Sequence, residues 1–112
     1  MPVASRIEEV RNEISELAER SANADDLMRK MVNLLRKRML KYNWAGFYML
    51  EPGTQPPVLV LGAFDGVVFV HGKIAGELDI DSHFPAAFTA EDKTLVQHGA
   101  ALVGLKLEAS SE

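Results

Sequence analysis

The chain has 112 residues, 47% of them apolar and 25% charged, with a formal net charge of −4. That suits one ordinary globular domain spanning residues 1–112. It offers no basic surplus to hold a nucleic-acid backbone and no apolar run of membrane-spanning length. No cysteine is present, which removes disulfides, thiolate catalysis and cysteine-held metal sites from this chain.

Ser5-Arg6-Ile7-Glu8 is a capping-box pattern. Ile7, Val10, Ile14 and Leu17 then recur at three or four, predicting an amphipathic helix over about 4–20. Ser21-Ala22-Asn23 interrupts it. Asn23 or Asp25 can cap a second helix, over about 24–41, with Leu27, Met31, Leu34 and Leu35 as its apolar stripe. Arg29, Lys30, Arg36, Lys37 and Arg38 make that helix basic towards its C-terminus, where cations suit the helix dipole. A solvated helix end and a site for an acidic partner both fit them.

Residues 43–51, N-W-A-G-F-Y-M-L-E, are apolar or aromatic on both alternating faces, as in a strand covered on both sides. Glu51 to Pro57 reads as a turn or hairpin loop, and Val58 to Phe64 as the next strand. Asp65-Gly66 is a tight-turn signal. A short strand over about 67–71 follows, and His71-Gly72-Lys73 turns the chain into a strand over about 73–81. Residues 83–88 form a loop. Thr89-Ala90-Glu91-Asp92 resembles a capping box and opens a last helix over about 90–107, with Leu95, Val96, Gly99, Leu102 and Val103 inward. Residues 108–112 are expected to fray. The sum is an α+β fold: a four-stranded antiparallel sheet with N- and C-terminal helices packed on one face. His71, His83 and His98 show no metal-ligand spacing, so neither metal nor cofactor is expected. No signal-peptide pattern is seen, which makes the cytoplasm the expected location.

The most informative stretch is Gly76-Glu77-Leu78-Asp79-Ile80-Asp81-Ser82. Its period of two gives one apolar and one acidic face. Side chains two apart on a strand are about 7 Å apart. At that distance two carboxylates repel by roughly 0.6 kcal/mol in water, and by about 2.4 kcal/mol at an effective dielectric near 20. These acids are therefore either bathed in solvent or turned towards something positive.

Tyr42-Asn43-Trp44-Ala45-Gly46-Phe47-Tyr48-Met49-Leu50, followed by Val58 to Phe64, resembles the first hairpin of a GAF domain. More narrowly, it is similar to the free methionine-(R)-sulfoxide reductase family. His71 to Ser82 and Phe88 to Asp92 resemble the end of the same domain. The resemblance implies a central antiparallel sheet whose helix-free face binds free methionine sulfoxide. Trp44 and Tyr48 would line the site, with a gap at Gly46, and Asp79 and Asp81 would hold the ligand's ammonium group or sulfoxide. Plain core packing also accounts for Trp44 and Tyr48. Glu77 is expected to be solvated, and Asp79 and Asp81 largely hydrated.

The chain departs from that family in one large respect. The central segment, with its lid and redox cysteines, is missing between Phe64 and Val67. Sulfoxide reduction by that route needs one thiolate to attack and another thiol to resolve, so no reductase activity is expected of this truncated GAF-like chain. The cut leaves two strand orders open. In the family order strand 43–51 neighbours strand 73–82, which brings Trp44 and Tyr48 close to Asp79 and Asp81. In a sequential meander they are far apart. Either order leaves Val67 to Val70 as an apolar edge and one sheet face uncovered, so a homodimer is expected.

Overall fold

Each helix buries the stripe that its sequence spacing marks. Ile7, Val10 and Ile14 of the first, Leu27, Met31 and Leu35 of the second, and Leu95, Val96, Ala100 and Val103 of the third join one core. A computed structural model describes residues 3–51, 65–84 and 88–110. Its elements are α1 (Val3–Arg20), α2 (Ala24–Arg38), β1 (Trp44–Met49), β2 (Gly66–Val70), β3 (Lys73–Asp81) and α3 (Ala90–Ser110). The fold is α+β, with three helices and a three-stranded antiparallel sheet among the described residues. The expected strand 58–64, the turn leading to it and residues 85–87 of the expected loop lie outside the described residues.

Several boundaries differ from expectation. α1 already begins at Val3, so Ser5 lies inside the helix rather than at its start. Asn23 is the cap of α2, its Oδ1 accepting from the Asp26 N–H at 2.8 Å. α2 stops at Arg38, not near 41, because Met39 turns extended. That exit lets Met39 and Tyr42 both enter the core while Leu40 stays in solvent. Part of the basic end of α2 has an internal partner: Arg38 bridges Glu9 and Glu13 of α1. α3 runs to Ser110 instead of fraying after 107. Its last turns are engaged, with Glu108 accepting from the His71 N–H at 2.9 Å.

Thr89 and Asp92 form the N-terminal box of α3. The Thr89 N–H and hydroxyl both donate to Asp92 Oδ2 at 2.8 Å, and the Tyr42 hydroxyl donates to the other oxygen. Burial and the adjacent Asp92 push the Tyr42 phenol far above its ordinary pKa, so it remains a donor. This contact locks the entry to β1 onto the start of α3.

The sheet order is β1-β3-β2, both pairs antiparallel. The sequential meander is therefore not adopted: strand 43–51 does neighbour strand 73–82. Val70 and Lys73 close a two-residue hairpin through His71 and Gly72, with φ of 50° and 78°. Both positive angles match the primed turn that right-twisted hairpins favour. The Asp65-Gly66 turn signal resolves differently, since Gly66 is already the first residue of β2, paired with Leu78.

Ala45, Val68, Leu78 and Ile80 point into the core under the helices. The expectation that β1 is covered on both sides does not hold among the described residues: Trp44 is 37% and Tyr48 55% exposed. Among the described residues the sheet thus has a helix-covered face and an open face. The outer edge of β2, expected to invite another chain, is engaged by α3. Gln97 accepts from the Val67 N–H and donates to its carbonyl, both at 3.1 Å. A Cβ on Gly104 would stand 2.3 Å from the Phe69 carbonyl oxygen, so only glycine lets α3 lie this close.

Candidate functional site

The register of β1 against β3 builds the site. Trp44 faces Asp81, Gly46 faces Asp79 and Tyr48 faces Glu77. Directly opposed residues share a face in an antiparallel pair, so all these side chains stand on the open face. The residues named from sequence, Trp44, Tyr48, Asp79 and Asp81, are brought together there.

Their roles differ from expectation in three ways. The gap at Gly46 is filled from within: the Trp44 ring lies over it, so close that a Cβ on Gly46 would stand 2.3 Å from the indole. Trp44 then stacks on Tyr48, with ring centroids 5.7 Å apart and planes at 28°. The pair forms an aromatic wall beside the acids rather than an empty slot between them.

Second, the acids are not equivalent. Asp81 is exposed at the strand end, but Asp79 is only half-buried to solvent's reach and one of its oxygens is fully shielded. Third, Glu77, expected to be solvated, is only 9% exposed. It sits mid-sheet between Tyr48 on β1 and Val67 on β2. Glu77 Oε2 and Asp79 Oδ1 are both buried without a hydrogen-bond partner. A buried acceptor left unpaired costs about 1–3 kcal/mol, and polar groups in that state call for an explanation.

Asp65 completes the cluster. Its Oδ1 accepts from the Ile80 N–H at 3.2 Å, which ties the chain before β2 to β3. Asp79 stands two residues from Glu77 on the same strand face, and Asp65 is tied to the next residue of that strand, Ile80. Burial, then the charges and hydrogen bonds of those two acids, push the Asp79 carboxyl up to about 7. Desolvation and like charge both disfavour its ionised form. Among the described residues, no group of three or more acids or histidines is arranged to hold a metal ion. The two shielded oxygens of Glu77 and Asp79 are hydrogen-bond acceptors.

No protein-family model and no curated protein matches this chain. Its site must therefore be judged on its own chemistry. A cleft of about 670 Å³ lies elsewhere, between α2 and β1, lined by Asp25, Arg29, Asn33, Phe47 and Met49 among others. Three of its charged lining residues pair with one another, Asp26 with Lys30 at 3.0 Å and with Arg29 at 3.5 Å. The unsatisfied acceptors, by contrast, are on the open face. No helix among the described residues is long and apolar enough to cross a membrane.

Sequence reasoning missed Asp65 and Glu77. The alternation did place Glu77 on the same face as Asp79, but its burial depends on cross-strand neighbours that only the register supplies. Asp65 was masked by its Asp-Gly turn signal.

Proposed function

We propose that this chain is a cytoplasmic, shortened GAF-like module that weakly binds a small ammonium-bearing ligand on its open sheet face, without redox chemistry. The observation that carries this reading is the pair of buried, unpartnered carboxyl oxygens on Glu77 and Asp79, beside the Trp44–Tyr48 wall. An ammonium group donates three hydrogen bonds and brings the charge these acids lack. The aromatic pair offers apolar area and a cation-attracting face for the rest of the ligand. Asp81, at the exposed end beside Trp44, is placed to meet a second polar group.

The resemblance of the N-W-A-G-F-Y and G-E-L-D-I-D-S stretches to the free methionine-(R)-sulfoxide reductases makes free methionine sulfoxide the natural first probe. The absence of cysteine leaves no thiol to attack sulfur, so turnover with a thiol reductant should stay at the blank. Titration calorimetry with L-methionine sulfoxide should give heat with the native chain and none with an Asp79→Ala, Asp81→Ala double variant. Equal heats for the two proteins would remove the ligand reading.

A second reading, self-association into a homodimer, is favoured by the exposed side chains Trp44, Tyr48, Phe69 and Ile74. The engaged edge of β2 directs it to the open face instead. Light scattering at tens of micromolar should then show a dimer that Tyr48→Lys and Phe69→Lys disperse. A clean monomer would exclude it.

A further inference from the structure

We infer that the turn leaving α2 docks this protein on an anionic lipid surface, as a peripheral contact and not a span. The inference does not rest on the ligand reading above and uses no residue of the open face. Residues 27–50 hold Arg29, Lys30, Arg36, Lys37, Arg38 and Lys41, six of the twelve Lys and Arg in the chain, and no Asp or Glu. In a chain of net charge −4, a run of one sign makes a local positive surface. Three of the six are already held: Arg29 and Lys30 by Asp26, and Arg38 by Glu9 and Glu13. Arg36, Lys37 and Lys41 are exposed and form no ion pair among the described residues. Arg6 of α1 joins them, lining one recess with Lys37, Arg38, Leu40 and Glu9.

Leu40 gives this surface its apolar component. Met39 and Tyr42 are both buried, and the Tyr42 N–H donates to the Met39 carbonyl at 2.9 Å. That closes a tight turn with Leu40 and Lys41 at its tip. Anchored on both sides, the tip holds Leu40 74% exposed, more than any other large apolar side chain among the described residues. A lone exposed leucine is ordinary, but this one is displayed between Lys37 and Lys41. The helix dipole accounts for cations in the last turn of α2, yet Leu40 and Lys41 lie past its end. Anionic headgroups attract Lys and Arg near the bilayer surface, and an apolar side chain beside them reaches the acyl boundary. A free phosphate or a nucleic-acid backbone would meet the cations and leave Leu40 in water. The pairing of exposed cations with a fixed apolar tip is what favours lipid.

Co-sedimentation of the full chain with vesicles tests this. Vesicles of phosphatidylcholine and phosphatidylserine in equal parts should carry the protein down, and vesicles of phosphatidylcholine alone should not. Binding should weaken as salt is raised. Lys37→Gln and Lys41→Gln should each weaken it about fivefold, and Leu40→Ser about tenfold. All three side chains are exposed, so these variants should keep the native circular dichroism. No binding to the mixed vesicles at low salt overturns the inference, as does equal binding to both kinds of vesicle. Binding that Leu40→Ser leaves unchanged overturns it too. Polyglutamate that binds as tightly as the mixed vesicles would assign the patch to an acidic polymer instead of a lipid surface.

Discussion

The two faces of this sheet are made from the same three strands and obey opposite rules. On the helix side, Leu78 and Val68 are fully buried and Ala45 and Ile80 nearly so, and the core they join is apolar. On the open side the same strands present Trp44 and Tyr48 in solvent and carboxyls that are shielded without being paired. One face is satisfied and the other is not. Changes on the first face should therefore cost more than changes on the second, and neutralising a shielded acid on the second should raise stability.

The largest effect should come from breaking the satisfied face. Leu78→Ala leaves a cavity against α3 and should cost about 2–5 kcal/mol, read from the chemical-denaturation midpoint. Tyr48→Ala, across the sheet and more than half exposed, should cost less than about 1 kcal/mol. Similar losses at the two positions would abolish the distinction between the faces.

Next comes the helix contact that closes the β2 edge. Gly104→Ala drives a methyl group into the Phe69 carbonyl. The resulting shift of α3 should cost about 1–3 kcal/mol. It should also loosen the Gln97 bonds to Val67, visible as faster amide exchange at Val67. Unchanged exchange there would show that the edge does not depend on α3.

The smallest effect has the opposite sign. Because folding raises the Asp79 carboxyl from 3.8 to about 7, the folded state holds more protons than the unfolded state between those values. Stability from this group is therefore greatest below about pH 4, falls as pH rises through the window, and is flat above about 7. Asp79→Asn should flatten that slope and raise stability at pH 8 by on the order of 1 kcal/mol. Thermal melts from pH 4 to 8 check it. A destabilised variant at pH 8 would mean that the carboxylate has a stabilising partner.

What could be read from the sequence follows the same division. The satisfied face was legible because helix and strand periodicity report burial directly: Ile7, Val10, Leu27, Met31, Leu95 and Leu78 all lie where their spacing puts them. The neighbourhood of β1 and β3 on the open face was legible only through the resemblance, since nothing local in either strand specifies its partner. What stayed hidden depended on register or on chain excursions. Glu77 is buried by what stands opposite it on two strands. Asp65 looks like half of a hairpin turn and becomes a tether on Ile80 instead. The space at Gly46 was inferred from an absent side chain, but a sheet surface beside a tryptophan is soon covered, and the indole folds over it. The end of α2 moved because the core recruits Met39 and Tyr42, a tertiary demand that a stretch of helix-favouring residues does not reveal.

The claim that function sits on the unsatisfied face is tested most directly by mapping amide chemical-shift changes as L-methionine sulfoxide is added at pH 8. Shifts confined to Trp44–Tyr48 and Glu77–Asp81, with Asp65 moving alongside, are the predicted result. Shifts gathered instead around Asp25, Arg29 and Asn33 of the α2–β1 cleft, or none at all at millimolar probe, would contradict it.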